Sequence, residues 1–334
     1  MDTFKVEIDY GGCEVRLLES GDVQFIWKSN PLGRINEATI KSVGFLYRSR
    51  DEIKNGAGLS ATAFLVAVSE PNASQADKQL PLGFRHAYVV TAAHVVKQGF
   101  TVLRIATTSG EFKVFDLPKT AKHQWNPGDV AGDIWRRHDE GHDLAVYPLP
   151  IFPNTFNAIN VEDFATTDVI QELSLGAGDD VFMPGRLWAL SGLEDPPPVV
   201  RFGKIAAMPD VLVPNPTIEE GMAQPSFLVE LRSDNGYSGA PVLVSRAAPK
   251  RISEDDSVAL NERIWLLGVN WGHVPMTHPD DWRLRSNPHI AMVIPAEKVL
   301  EILRYDDLEK RRNAVWEAHK KRINNLPPGV PDIG

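Results

Sequence analysis

The sequence contains a single cysteine, Cys13, among 334 residues. No intramolecular disulfide can form, so the chain must be held by packing, as is usual in a reducing compartment. It has no apolar run approaching the ~20 residues that a membrane-spanning helix requires. Its first residues, Met1 to Asp9, lack the apolar stretch of a secretion signal. Positive charge is also scarce. Lys and Arg number 35 against 44 Asp and Glu, a formal net charge of −9, which points away from nucleic acid and anionic membranes as partners. Internal repeats and low-complexity blocks are missing too. Together these absences lead us to expect a soluble cytoplasmic protein with no membrane or nucleic-acid partner. The composition, 43% hydrophobic and 24% charged, suits a globular chain long enough for about two domains.

The most informative stretch is Arg232 to Val244, in which Gly236-Tyr237-Ser238-Gly239-Ala240-Pro241 leads straight into the apolar run Val242 to Val244. A serine between two glycines ahead of a strand suits a nucleophile displayed on a tight turn. Gly236 permits backbone conformations that aim successive N–H groups at one spot, so the N–H groups of Gly236 and Ser238 are candidates for an oxyanion hole. Taken alone, the same residues also fit an ordinary β-turn.

Two further stretches add to this reading. Ala87 to Val96 is an apolar strand leading through small residues to His94, and Gly141 to Tyr147 places Asp143 at the opening of an alternating strand. A serine hydroxyl needs a base to take its proton, a histidine has the appropriate intrinsic pKa, and a carboxylate fixes its tautomer. Asp129, Asp133 and Asp139 compete with Asp143 for the last role. Asp143 is preferred because the apolar Leu144-Ala-Val-Tyr147 follows it directly, whereas Asp139 lies in a charged, glycine-bounded loop.

The chain order His94, Asp143, Ser238 is that of the chymotrypsin type of triad. On these three motifs the sequence resembles the trypsin-like serine protease superfamily over roughly residues 36–304. It is closer in pattern to bacterial HtrA-like and glutamyl-endopeptidase-like members than to disulfide-rich ones. The resemblance implies an all-β fold of two antiparallel six-stranded barrels, with the site in the cleft between them. It also implies that Asn270 and Gly272, in Trp265 to Gly272, hydrogen-bond an extended peptide, and that Trp271 lines the neighbouring subsite. The alternative is an ordinary buried strand. The residue six before the nucleophile, Arg232, would lie at the floor of the primary specificity pocket. There it would exclude cleavage after Lys or Arg and could pair with an acidic side chain; the alternative is that it faces solvent. One departure stands out: Tyr237 occupies the position where secreted members carry an aspartate that orders the oxyanion loop.

Along the chain, residues 1–35 alternate weakly and look like a hairpin outside the core. Apolar segments at Lys41 to Tyr47, Ala61 to Val68, Ala87 to Thr91, Thr101 to Ala106 and Phe112 to Phe115 predict short strands of a first barrel, residues 36–160. A second set falls in residues 161–304: Asp180 to Met183, Val199 to Ile205, Ser226 to Leu231, Val242 to Ser245, Ile264 to Trp271 and His289 to Ile294. From Pro295 the period changes, predicting a helix over Ala296 to Leu303 and another over about Leu308 to Ile323 in a C-terminal extension, residues 305–334. In the latter, Val315, Trp316, His319 and Ile323 share one side.

His138 and His142 stand four apart, as in a zinc-binding helix. But Asp139 stands where that motif needs Glu, Gly141 is a poor helix residue and Pro148 follows soon after, so no metal and no cofactor is expected. The expected activity is that of a cytoplasmic serine endopeptidase acting on protein or peptide substrates, of narrow specificity or gated by a regulatory protein partner. A peptide-binding module without catalysis and a hydrolase of esters are the rival classes.

Overall fold

The structure is a computed structural model. It describes residues 9–10, 13–17, 23–27, 35–54, 60–69, 85–118, 121–122, 135–149, 155–190, 196–210, 212–214, 223–232, 235–250, 259–274, 276–278, 281–286 and 289–324. The N-terminal segment forms a small three-stranded sheet, with Cys13–Leu17 between Asp9–Tyr10 and Val23–Trp27. It thus has one strand more than a hairpin.

The first large unit is a sheet whose strands run in the order Phe112–Asp116, Val102–Ala106, Val43–Tyr47, Ala61–Ser69, Arg85–Thr91, Ala145–Leu149, Trp135–Arg137 and Ala121–Lys122. Ile159–Asn160 adds in parallel to Ala61–Ser69. Among the described residues this sheet does not close, which corrects the expectation of two closed barrels. One edge, Phe112–Asp116, is largely exposed and carries Lys113 and Asp116. Charged side chains on an exposed strand oppose further edge pairing.

The second unit is a closed antiparallel barrel in the order Asp180–Gly185, Val199–Ala207, Phe227–Glu230, Ile290–Pro295, Ala259–His273, Pro241–Lys250, returning to Asp180–Gly185. Because side chains alternate across a strand, neighbouring apolar residues go to different cores. Val181, Met183, Val242, Val244, Leu267 and Val293 fill the barrel. Phe182, Leu243, Leu266, Met292 and Ile294 instead join the core of the open sheet. This two-sided burial is why these strands read as continuous apolar runs.

The helix Ala296–Leu303 starts directly after Pro295 and buries Ala296, Val299, Ile302 and Leu303. The helix Asp306–Asn324 follows. Its Arg312 donates through Nη1 to the Tyr88 hydroxyl at 3.1 Å and to the Leu303 carbonyl at 2.7 Å. Trp316 and His319 are buried as the pattern suggests, but Val315 is 42% exposed and does not share their face. No described helix is long and apolar enough to cross a membrane.

Candidate active site

The strand Arg85–Thr91 ends at Thr91, and Ala93–Lys97 forms a short helix that buries Ala93, Val95 and Val96. His94 is thereby left partly open, with its side chain 15% exposed. Its ring Nδ1 lies 2.6 Å from Asp143 Oδ2, and its backbone N–H donates to Asp143 Oδ1 at 2.7 Å. A carboxylate oxygen can only accept, so Nδ1 carries the ring proton and Nε2 keeps the lone pair that a general base uses.

Asp143 is completely buried. It precedes the strand Ala145–Leu149 by two residues and lies in a bend rather than opening the strand. Its carbonyl accepts from Ala93 N–H at 3.2 Å, and its N–H donates to Gln224 Oε1 at 2.9 Å. Gln224 comes from the strand Ala223–Pro225, so a residue beyond the first sheet fixes this loop.

Ser238 is half-buried on a turn between Gly236, φ 102°, and Gly239, φ 85°. Both glycines adopt the left-handed region that side chains disfavour. A Cβ on Gly239 would come within 2.1 Å of Thr91 Oγ1, 2.2 Å of the Thr62 carbonyl and 3.1 Å of Ala92 N. The turn is therefore seated against the residues that lead into His94.

The two units clamp this turn from opposite sides. From the barrel, Gly239 N–H donates to the Asn270 carbonyl at 2.7 Å, Asn270 N–H donates to the Ala240 carbonyl at 2.9 Å, and Asn270 Nδ2 donates to the Tyr237 carbonyl at 2.8 Å. From the sheet, Thr62 N–H donates to the Ser238 carbonyl at 3.0 Å and Thr62 Oγ1 donates to the Gly236 carbonyl at 2.6 Å. Among the described residues, the N–H groups of Gly236 and Ser238 donate to no acceptor.

Tyr237 lies between the two residues whose N–H groups face no acceptor among the described residues. It is fully buried, and its hydroxyl donates to the Val199 carbonyl at 3.0 Å. Its ring fills the space beside Gly185, where a Cβ would approach Tyr237 Cδ1 to 2.5 Å.

The remaining sequence candidates are placed as follows. Asn270 is buried, and its backbone N–H and carbonyl bond to Ala240 and Gly239. Trp271 is 5% exposed, with its indole N–H donating to Ser226 Oγ at 3.1 Å. Gly272 is half-buried on the rim of the same strand. Arg232 is exposed, two residues beyond the strand Phe227–Glu230. Asp139 is also exposed, and its N–H donates to the Tyr305 hydroxyl at 3.0 Å.

His138, Glu140 and His142 bring their ligand atoms within 4.8 Å of one another. They meet through a turn closed by Gly141 N–H to the His138 carbonyl at 3.0 Å, not through a helix. Glu140 N–H donates to His138 Nδ1 at 3.2 Å, His138 Nε2 contacts Glu301 Oε2 at 2.8 Å, and His142 Nε2 contacts Glu140 Oε2 at 3.0 Å. Lys298 joins both carboxylates, at 3.3 Å to Glu140 and 3.0 Å to Glu301. With Nδ1 accepting from Glu140, His138 Nε2 is free to donate to Glu301, and with Lys298 these groups tie the Asp143 loop to the helix Ala296–Leu303. Burial pushes the pKa of His142 down to about 4, with His138 and Lys298 adding to the effect.

The sequence reading did not single out Thr62, Gln224 or Arg186. Thr62 left a faint signal, as a hydroxyl inside the apolar run Ala61 to Val68. Gln224 and Arg186 left none, because their roles depend on partners far away in the chain.

No protein-family model matches the chain, and no curated protein does. Among solved structures, it is similar to the crystal structure of the Rv3671c protease in an inactive form, at 17% identity and a TM-score of 0.40, covering 80% of this chain and 89% of that one. It is similar in the same degree, 17% identity and a TM-score of 0.40, to an inactive serine-to-alanine mutant of Rv3671c from M. tuberculosis H37Rv, covering 82% of this chain and 94% of that one.

Proposed function

We propose that the chain is a trypsin-like serine endopeptidase, with His94, Asp143 and Ser238 as its triad. The observation that carries this reading is the enclosed Asp143 holding His94 by both ring and backbone, beside the turn that bears Ser238. In this mechanism His94 Nε2 takes the proton from Ser238 Oγ as that oxygen attacks the peptide carbonyl carbon. The N–H groups of Gly236 and Ser238 receive the oxyanion of the tetrahedral intermediate. His94 then protonates the leaving amine, the C–N bond breaks, and water hydrolyses the acyl-enzyme by the same proton relay. Asp143 keeps the imidazole in the working tautomer and stabilises its charged form. The open sheet is the counterpart of a first barrel, and the cleft between it and the closed barrel takes the substrate.

An extended protein segment would enter that cleft and run beside Asn270 to Gly272, with Arg232 at the rim disfavouring a basic residue before the cut. We assign the protein to the cytoplasm, where narrow specificity or a regulatory partner would restrain it. A fluorophosphonate probe tests the proposal. Labelling of the wild type that is lost in Ser238→Ala supports an activated nucleophile. No labelling of a folded wild type would leave a peptide-binding module instead, and turnover of esters but not peptides would move the activity to an esterase.

A further inference from the structure

Arg186 follows the strand Asp180–Gly185 and is 1% exposed, among the largest fully enclosed side chains of the protein. Its Nε donates to Ser60 Oγ at 2.9 Å, and its guanidinium carbon lies 5.3 Å from the centre of the Phe45 ring. Nη1 is buried without a hydrogen-bond partner. Among the described residues no carboxylate pairs with this guanidinium. Burial lowers its pKa, and the neighbouring Arg104 lowers it further against the opposing influence of Tyr47.

An enclosed cation without a counter-charge opposes folding, because water solvates it fully in the unfolded chain whereas one hydroxyl and one ring replace only part of that solvation inside. The location of Arg186 gives it a purpose. A Cβ on Gly236 would stand 2.6 Å from the Arg186 carbonyl oxygen and 3.4 Å from Arg186 Cγ, so the side chain departs from directly beside the Gly236 peptide. Its backbone N–H donates to Thr62 Oγ1 at 3.0 Å, and that hydroxyl in turn donates to the Gly236 carbonyl.

We infer that Arg186 is a positioning and charge-stabilising residue whose missing counter-charge is the oxyanion formed at Gly236 and Ser238. The inference rests on the serine-peptidase reading of the same turn. A cation in a poorly solvated interior acts over longer distances than one in water. A neutral bound peptide gains little from it, whereas the tetrahedral intermediate gains directly, so the effect belongs to kcat rather than KM. The backbone arm, through Thr62, holds the Gly236 peptide in register.

The test compares Arg186→Met and Arg186→Lys in the full chain, by peptide kinetics and by thermal unfolding. The expected result for Arg186→Met is a kcat lower by about 10- to 100-fold with KM within about twofold, and a Tm equal to or above that of the wild type, since an uncompensated charge has been removed. Arg186→Lys should recover most of the lost kcat. An unchanged kcat, a loss carried by KM, or a Lys variant no better than Met would overturn the inference. A lower Tm in Arg186→Met would overturn it as well, because that is the behaviour of a structural partner. The Tm comparison does not depend on turnover. A wild type that fails to cut or label counts against Ser238, whereas the stability of Arg186→Met decides whether the cation is uncompensated.

Discussion

Thr62 and Ser238 are joined by a backbone hydrogen bond of 3.0 Å, from the Thr62 N–H to the Ser238 carbonyl. The turn that bears the proposed nucleophile thus lies on the barrel's stretch of chain and is bonded to both the barrel and the open sheet. Thr62 Oγ1 adds a second tie, to Gly236, across 174 positions of sequence.

Thr62→Val keeps the shape and removes the hydroxyl, leaving the Gly236 carbonyl and Arg186 N–H without their shared partner. The site is fully enclosed, so unfolding free energy should fall by about 1–3 kcal/mol. Activity should fall further than Tm explains, because the Gly236 peptide loses its anchor. Chemical denaturation alongside peptide kinetics checks this, and a variant as stable and active as the wild type would remove the bridging role.

Substitutions within the proposed triad should rank clearly. Ser238→Ala should fold normally and lose about 10⁶ in kcat, the loss seen when a comparable triad serine is removed. Asp143→Asn should lose about 10⁴ near neutral pH, because the amide favours the wrong histidine tautomer. Asp139→Asn should lose little, its side chain being exposed. Steady-state rates on one peptide substrate settle the order, and an Asp139 effect larger than that of Asp143 would reverse the assignment.

Tyr237→Phe removes the hydroxyl that donates to Val199 and should lower stability by about 0.5–1.5 kcal/mol while keeping the ring in place. Tyr237→Ala empties a fully enclosed aromatic site and should cost about 3–5 kcal/mol. If the ring is what orders the turn, labelling by a fluorophosphonate should survive the first change and be lost in the second.

Acid should destabilise the fold through two enclosed histidines. Burial pushes the pKa of His142 from 6.5 down to about 4. It does the same to His86, where Arg312 and Arg311 add to the effect. The unfolded chain binds protons below 6.5 that the folded chain refuses until about 4. Stability from these residues is therefore complete above the upper value and is lost as pH falls towards the lower one. Tm should drop between pH 7 and about pH 4.5, and the paired change His86→Asn with His142→Asn should flatten that slope. An unaltered slope would place the acid sensitivity elsewhere.

Cleavage specificity offers the most direct test of the proposed cleft. Arg232 is exposed, so its charge is screened by solvent. A peptide library read by mass spectrometry should show no dominant cleavage after Lys or Arg, and Arg232→Ala should weaken any preference for acidic residues by only a few fold. Dominant cleavage after basic residues would remove Arg232 from the site.

Much of this protein is written in short-range pattern. Strands such as Val43–Tyr47 and Val199–Ala207 follow from runs of β-branched and aromatic residues between turn formers. The helix Ala296–Leu303 follows from its apolar period behind Pro295. The left-handed turn at Gly236 and Gly239 follows from the freedom of glycine. These are local preferences, and they sufficed to bring His94, Asp143 and Ser238 forward as candidates in that order. The bend at Asp143 and the exposure of Val315 depart from the local pattern by a residue or two, because strand ends and helix faces are settled by what packs against them.

Tertiary structure alone decided the rest. Gln224 reaches the Asp143 N–H across 81 positions, and Arg186 reaches Thr62 across 124. Neither residue carries a local signature, since a hydrogen bond between distant segments leaves no periodicity in either. The open first sheet likewise depends on whether two distant strands meet, which no strand encodes by itself. The enclosure of the Arg186 cation exists only once Phe45, Ser60 and Gly236 close around it. From sequence an arginine after Pro-Gly reads as a solvated loop charge; burial by three separate segments turns it into a group with no carboxylate partner among the described residues.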